Sequence, residues 1–147
     1  MPTQDAGDEL ILAIPPEPGV IAIARIFAAA SCRHIGMDED RIDDVKVAAS
    51  EAVTNAVKAH LAGNVTGPIR LVVRTRSKVL EVTDAGAGFE PPARDPVGTP
   101  PGGLYEGSLG LSLIQALFPD VQIERNHDRG MTIRFSLDAS VSSRPAG

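Results

Sequence analysis

The spacing of apolar and polar residues along the chain predicts a succession of short strands and helices. The predicted segments, in order, are a strand at 8–14, a helix at 19–34, a helix between Asp40 and Gly63, strands at 69–75 and 79–84, a helix at 109–118, and strands at 121–125 and 131–137. The later strands occur as hairpins rather than as strand–helix–strand units. We therefore expect an α+β fold, a two-layer sandwich whose mixed, mostly antiparallel sheet is covered on one face by helices.

The two longer helices differ in how much of their surface is apolar. In the first, Ile21 and Ile26 lie off the main apolar stripe, so we expect this helix to be buried on two sides, one of them open to a partner. In the second, Asp40 is the predicted N-cap and Gly63 follows the predicted end. The expected buried stripes are Val20, Ile23, Ala24, Phe27 and Ala30 in the first helix and Ile42, Val45, Ala49, Val53 and Ala56 in the second.

Composition and charge narrow the class of protein. A chain of 147 residues, 43% hydrophobic and 22% charged, is typical of one globular domain. With four Phe, one Tyr, no Trp and a net charge of −5, it lacks the aromatic and basic surface of a nucleic-acid binder. The single cysteine excludes an intrachain disulfide. No apolar run approaches the length of about 20 residues that spans a bilayer, and the acidic start is unlike a secretory signal. We expect a cytoplasmic domain with no direct nucleic-acid or membrane partner.

Residues 90–107 differ from the rest of the chain because they are rich in proline and glycine and show no apolar periodicity. A loop of this length is either a functional lid or a disordered linker, and the residues alone leave both open. On this division the folded domain spans 8–137, between a flexible N-terminus at 1–7 and a flexible tail at 138–147.

Glu51 and Asn55 lie four residues apart on the second helix and therefore share one of its faces. Among small apolar neighbours, the carboxylate of Glu51 could act as a general base toward a hydroxyl, and the amide oxygen of Asn55 suits Mg²⁺. Lys58, nearly one turn further, could reach a phosphate. Taken alone, the same three residues also fit an ordinary solvated helix face.

Asp84 ends a predicted strand on the same side as Leu80 and Val82, so its side chain points toward the helices. An acid on the covered face requires a hydrogen-bond donor, and the exocyclic amine of adenine is one. Gly86 and Gly88 would let the backbone approach a flat ligand closely. A plain turn is the alternative interpretation of this segment.

Two further segments are candidates for ligand contact. Ser108, Leu109, Gly110 and Leu111 lead into the last predicted helix, whose free N–H groups would form an anion site suited to a triphosphate. Thr132 lies on the final strand, where an ordinary exposed residue is the alternative to a ligand contact.

Three segments, in this order and at this spacing, resemble the sequence boxes of a known family. They are Glu-Ala-Val-Thr-Asn at 51–55, Asp-Ala-Gly-Ala-Gly at 84–88 and Ser-Leu-Gly-Leu at 108–111. The resemblance is to the GHKL ATP-binding family, whose Bergerat fold is a helix-covered mixed sheet. Within that family, residues 49–56 and the chain length look most like the bacterial anti-sigma factor serine kinases of the RsbW and SpoIIAB class. The resemblance covers roughly residues 8–137.

The resemblance implies a role for each candidate residue. Glu51 would be the catalytic base that activates the substrate hydroxyl, and Asn55 would ligate the Mg²⁺ that bridges the phosphates of ATP. Asp84 would bind the adenine amine, with Gly86 and Gly88 beside the base. The remaining nucleotide contacts implied are Lys58, Ser108, Leu109, Gly110, Leu111 and Thr132.

The resemblance also implies partners. It predicts a serine/threonine-protein kinase that phosphorylates a serine on a STAS-type anti-anti-sigma protein and that, as a homodimer, sequesters an alternative sigma factor. Two other functions fit the same motifs. One is a nucleotide-binding regulatory module without kinase turnover, suggested by Ser108, which stands where the family usually has a glycine. The other is a switch-type serine kinase that activates a phosphatase or signalling complex.

Overall fold

The computed structural model describes residues 8–86, 105–126 and 130–137, and for residues 105–110 it describes the backbone alone. The elements are strand β1 Glu9–Ile14, helix α1 Val20–Ile35, helix α2 Glu39–Ala62, strands β2 Ile69–Arg74 and β3 Val79–Thr83, helix α3 Tyr105–Leu117, and strands β4 Gln122–Arg125 and β5 Met131–Ser136. This is the predicted order. Some predictions from the sequence concern residues that lie outside the described part of the chain. They are those for Gly88, for most of the lid at 90–107 and for the termini at 1–7 and 138–147.

The five strands form one sheet in the order β1-β2-β3-β5-β4, and every neighbouring pair is antiparallel. Alternate residues of the inner strands are buried beneath the helices: Leu71, Val73, Leu80, Val82, Ile133 and Phe135. The predicted α+β sandwich is confirmed. Among the described strands the sheet is antiparallel throughout, in agreement with the expected mostly antiparallel sheet.

Helix α2 lies across the buried face of the sheet, and its predicted stripe is confirmed. Ile42, Val45, Ala49, Val53 and Ala56 are all buried. The predicted start is wrong by two residues, because Asp38 is the N-cap and Asp40 lies in the first turn. At that position the acidic side chain of Asp40 still faces the positive end of the helix dipole.

The predicted stripe of α1 is only partly correct. Val20 and Ala24 are buried as expected and Phe27 is half-buried, but Ile23 is 50% exposed and Ala30 is exposed too. Ile26, predicted to lie off the stripe, is 67% exposed. The buried positions are Val20, Ala24, Ala28, Ala29, Ser31 and Cys32. This face is made mostly of small residues, which allow α1 to pack closely against α2 and leave the larger isoleucines outside.

Helix α3 begins at Tyr105, four residues before the predicted start, and so includes the end of the segment predicted as a lid. Its C-terminal end is fastened to the core by Arg41. The Arg41 Nε–H donates to the Leu137 carbonyl oxygen at 3.0 Å, and the guanidinium lies 4.1 Å from the centre of the Phe118 ring. None of the helices in the described ranges is long and apolar enough to cross a membrane.

Candidate nucleotide site

The carboxylate of Asp84 is held at the end of β3 by two backbone donors. Its Oδ1 accepts from the N–H of Gly86 at 2.9 Å and from the N–H of Met131 at 3.3 Å. Burial raises the pKa of Asp84, although those two hydrogen bonds and the nearby His60 act in the opposite direction. Among the described residues, no hydrogen bond uses Oδ2. Within the described part of the chain, that oxygen can accept from an added donor.

The segment after Asp84 packs against the C-terminal part of α2. A side chain on Gly86 would meet the backbone carbonyl of Ala59 at 2.5–2.7 Å, so only glycine allows this approach. The Ala85 N–H donates to Nε2 of His60 at 2.9 Å. Asp84 is therefore fixed from the sheet side by Met131 and from the helix side by these two contacts.

Gly130 forms the other support of Asp84. Its φ of +94° lies in the left-handed region, and an added Cβ would stand 1.9 Å from the Asp84 carbonyl oxygen. The next residue, Met131, donates its N–H to the Asp84 carboxylate and accepts the Asp84 N–H on its carbonyl oxygen. Because Gly130 has no side chain, the start of β5 can lie directly against Asp84.

Asn55 lies one helical turn before Ala59 on α2, on the face that receives the Asp84 segment. It is 7% exposed, and its Nδ2 has no hydrogen-bond partner among the described residues. A buried amide without a partner is costly unless a ligand completes its hydrogen bonds. A neutral amide oxygen also suits Mg²⁺, which is usually held by one or two protein oxygens together with phosphates and water.

Glu51 lies one turn before Asn55 and is partly buried. It borders an open groove of about 440 Å³ between α1 and α2. The other lining residues are Arg25, Asp43, Lys46, Val47 and Ser50. The Arg25 guanidinium donates to the Ser50 hydroxyl at 3.2 Å, which ties the two helices together beside Glu51. Lys58 is exposed on α2, close to one turn beyond Asn55.

Thr132 lies behind the sheet, on the face of β5 where strand alternation predicts it. Its neighbours Met131 and Ile133 face the core, so its side chain lies on the opposite face of β5 from them. The hydroxyl donates to Oδ1 of Asn126 at 2.9 Å and lies 3.2 Å from the hydroxyl of Thr83. Asn126 in turn donates to the Asp84 carbonyl oxygen at 3.4 Å. Thr132 thus supports the site from behind the sheet and does not share the cleft with the Asp84 carboxylate.

The predicted phosphate box is differently placed. Because α3 begins at Tyr105, the residues Ser108 to Leu111 lie within its first two turns rather than before it. Only the first four N–H groups of a helix are free, so the amides of Leu109, Gly110 and Leu111 are inside the helical ladder here. Leu111 is buried in the core.

Four residues that contact the Asp84 segment were not predicted from the sequence as site residues. They are His60, Asn126, Gly130 and Met131. His60 carried a usable signal, since it is an isolated polar residue on the predicted buried side of a helix. Gly130 could have been found as the glycine that immediately precedes a strand. The Asn126 and Met131 contacts depend on the pairing of strands distant in sequence, which one sequence does not reveal.

Comparison with known proteins places this geometry in a wider group. Residues 14–137 match the family model described as histidine kinase-like ATPase domain. A protein of Bacillus cereus (strain AH820) named serine-protein kinase RsbW is 36% identical over 134 residues, which cover 86% of this chain and 82% of the relative. A protein of Listeria innocua with the same name is 30% identical, over 86% of this chain and 84% of the relative.

A solved structure of the RsbU and RsbW domains of Rv1364c from Mycobacterium tuberculosis matches with a TM-score of 0.59 at 19% identity. The match covers 86% of this chain but 31% of that longer chain. At this level of identity the likeness shows the fold alone.

Proposed function

Because this chain belongs to the family of histidine kinase-like ATPase domains, we propose that it is an ATP-dependent protein serine kinase and anti-sigma factor. The proposal is supported most strongly by Asp84. One of its carboxylate oxygens accepts from two backbone donors, and the other has no hydrogen bond from the described residues. Such an oxygen can accept a hydrogen bond from the 6-amino group of adenine, with Gly86 and Ala85 forming the adjacent backbone wall.

Asn55 is the proposed metal residue. Its buried side chain, whose Nδ2 has no hydrogen-bond partner among the described residues, lies on the side of α2 that receives the Asp84 segment. When bound, Mg²⁺ would offset the negative charge of the phosphates and orient them. Lys58 is proposed to approach the phosphates from the exposed edge of α2.

Glu51 is the proposed general base. It would take the proton of the substrate serine hydroxyl as the serine oxygen bonds to the γ-phosphorus. The bond from that phosphorus to the β–γ bridging oxygen breaks, and ADP leaves. The open groove beside Glu51, with Arg25 and Lys46 on its sides, gives the serine-bearing protein a route to the carboxylate.

The proposed substrate is a serine of a STAS-type anti-anti-sigma protein, and the second partner is an alternative sigma factor held by a dimer of this chain in the cytoplasm. The names of the RsbW relatives support the kinase assignment. Exposed isoleucines at positions 11, 23 and 26 supply apolar surface on β1 and α1 for assembly. Sedimentation of the wild type and of an Ile26→Asp variant tests the dimer, which the substitution should dissociate.

A second candidate function is a nucleotide-binding regulator that does not transfer phosphate. The position of Leu109 to Leu111 inside α3 favours it, because those amides are not free to bind a triphosphate. Incubation with labelled ATP, Mg²⁺ and candidate STAS proteins separates the two. The kinase predicts phosphoserine on one partner and its loss in Glu51→Gln, whereas absence of phosphoserine with retained ATP binding would favour the regulator.

A further inference from the structure

His60 is fully buried on α2 at 0% exposure, yet the described residues hydrogen-bond only one of its two ring nitrogens. Nε2 accepts the Ala85 N–H at 2.9 Å. Since that nitrogen is an acceptor in this bond, it carries no proton, and the ring proton is on Nδ1. Nδ1 has no hydrogen-bond partner among the described residues.

A buried N–H without an acceptor carries a desolvation cost, and an apolar residue at this position would avoid it. An apolar residue would also leave the Ala85 N–H without its acceptor, so this one hydrogen bond is what accounts for a histidine here. The bond it makes is not to another core element but to the residue that directly follows Asp84.

The hydrogen bond from the Ala85 N–H to His60 holds the Asp84–Gly86 segment against α2. Ala85 lies between Asp84 and Gly86, and Gly86 rests on the Ala59 carbonyl in the preceding position of α2. Two consecutive residues of α2 thus hold two consecutive residues of the segment. Because Asn55 lies one turn earlier on α2, the same contact sets the distance between Asn55 and the Asp84 carboxylate.

We propose that His60 is a positioning residue for base recognition, which acts by fixing the Asp84–Gly86 segment against α2 so that Oδ2 of Asp84 meets the 6-amino group of the purine. This inference rests on the proposed function, because it assumes that the cleft holds ATP. His60 itself does not touch the nucleotide. Its substitution should reduce discrimination between a 6-amino and a 6-oxo purine more than it reduces binding of the phosphates.

The test compares the affinities of the full chain for ATP and inosine triphosphate, each with Mg²⁺, by titration calorimetry. Inosine triphosphate carries a 6-oxo group, which presents an acceptor to Asp84 where ATP presents a donor. The informative pair is His60→Gln, whose amide oxygen can occupy the position of Nε2, and His60→Asn, whose shorter side chain cannot reach it. His34→Gln, at an exposed position of α1, is the matched control.

The wild type and the His34→Gln control should prefer ATP by about tenfold or more, the value of one hydrogen bond to a charged group. His60→Gln should keep most of that preference, and His60→Asn should lose most of it through weaker ATP binding. A wild type that binds neither nucleotide overturns the proposed function. A wild type that prefers ATP, together with a His60→Asn variant that keeps the preference, overturns this inference alone.

A second measurement uses the wild-type chain, so it does not depend on whether a variant at position 60 folds. Nitrogen-15 spectra of the histidine rings in the wild-type chain report which nitrogen is protonated, and the rings of His34 and His127 are assigned from their own substitutions. The inference predicts a neutral His60 ring with its proton on Nδ1. A ring protonated on Nε2 at neutral pH could not accept from Ala85 and would contradict it.

Discussion

Asp84 and Met131 are joined by two hydrogen bonds that run in opposite directions. The Asp84 N–H donates to the Met131 carbonyl oxygen at 3.0 Å, and the Met131 N–H donates to the Asp84 carboxylate at 3.3 Å. The side chain of Asp84 therefore cannot turn without breaking a bond to the neighbouring strand. This contact makes the carboxylate a preorganised acceptor, which costs little ordering when a ligand arrives.

The first prediction concerns Asp84→Asn. If the amide oxygen of the substituted side chain accepts the two backbone N–H bonds, the NH₂ group of the same side chain points toward the adenine amine. Two hydrogen-bond donors then face each other, and no bond forms between them. Affinity for ATP should fall by about tenfold or more, and the rise in melting temperature with ATP and Mg²⁺ should disappear. Thermal unfolding with and without nucleotide checks this, and an undiminished rise in the variant would contradict the assigned role of Asp84.

The second prediction uses the raised pKa of Asp84 in the ligand-free protein. Because burial raises the pKa in the folded state above its unfolded value, ionisation of Asp84 opposes folding. Its contribution to the free energy of unfolding is therefore most favourable in acid and decreases as pH rises through the folded pKa. Ligand-free Asp84→Asn should be at least as stable as the wild type at neutral pH, measured by chemical denaturation. A clear loss of stability would contradict this sign.

Nucleotide binding should show the opposite pH dependence in a third prediction. The ionised carboxylate accepts from the adenine amine more strongly than the protonated one, so affinity should fall as pH decreases through the pKa of Asp84. Because that pKa is raised, the loss should begin at higher pH than for an ordinary aspartate. Among the described residues, His60 is a titratable group that acts on Asp84, so the pH profile is best compared with that of His60→Gln. A profile flat down to the range of an unperturbed aspartate would be inconsistent with this assignment.

Gly130→Ala provides a fourth prediction. The added Cβ would lie 1.9 Å from the Asp84 carbonyl oxygen, and the φ of +94° is itself unfavourable for alanine. We expect a loss of stability of about 1–3 kcal/mol, the usual cost of backbone strain, together with weaker ATP binding. Gly67→Ala is the control, since nothing lies within 4 Å of its added Cβ. Equal behaviour of the two variants in denaturation and in ATP titration would contradict the account of Gly130.

Glu51→Gln tests the proposed chemistry separately from binding. Loss of a general base typically slows transfer by about 10²–10⁴-fold, whereas the amide should leave ATP affinity nearly unchanged. Single-turnover transfer to a STAS protein and calorimetry with ATP measure the two quantities. Glu17→Gln, on the exposed segment before α1, should transfer phosphate at the wild-type rate. A Glu51→Gln variant as fast as that control would remove Glu51 from the catalytic step.

The sequence was most informative where periodicity and packing agree. The stripe of α2 from Ile42 to Ala56 follows helical spacing and is buried as predicted. In α1 the same spacing predicted that Ile23 is buried, and this prediction is wrong. The helix packs against α2 through alanines, and the spacing of apolar residues in one helix does not show which neighbour it packs against. By hydrophobicity alone, Ile23 is a better candidate for burial than Ala28, although Ala28 is the residue that is buried.

The site shows the same division. Strand alternation placed Asp84 on the side of the helices, since it depends only on local geometry. Alternation also places Thr132 on the far side of β5, as the structure does, whereas the nucleotide contact that the family resemblance implies for Thr132 stays a prediction. The roles of His60 and Met131 arise from contacts between residues 25 and 47 positions apart in the chain, which no local pattern encodes.

The central claim is that a nucleotide lies between α2 and the sheet with its purine held by Asp84. A crystal structure of the full chain with a non-hydrolysable ATP analogue and Mg²⁺ tests it most directly. We predict the purine 6-amino nitrogen within hydrogen-bond distance, about 3 Å, of Oδ2 of Asp84 and the metal beside the Asn55 oxygen. An empty cleft, or a purine bound away from Asp84, would contradict the account.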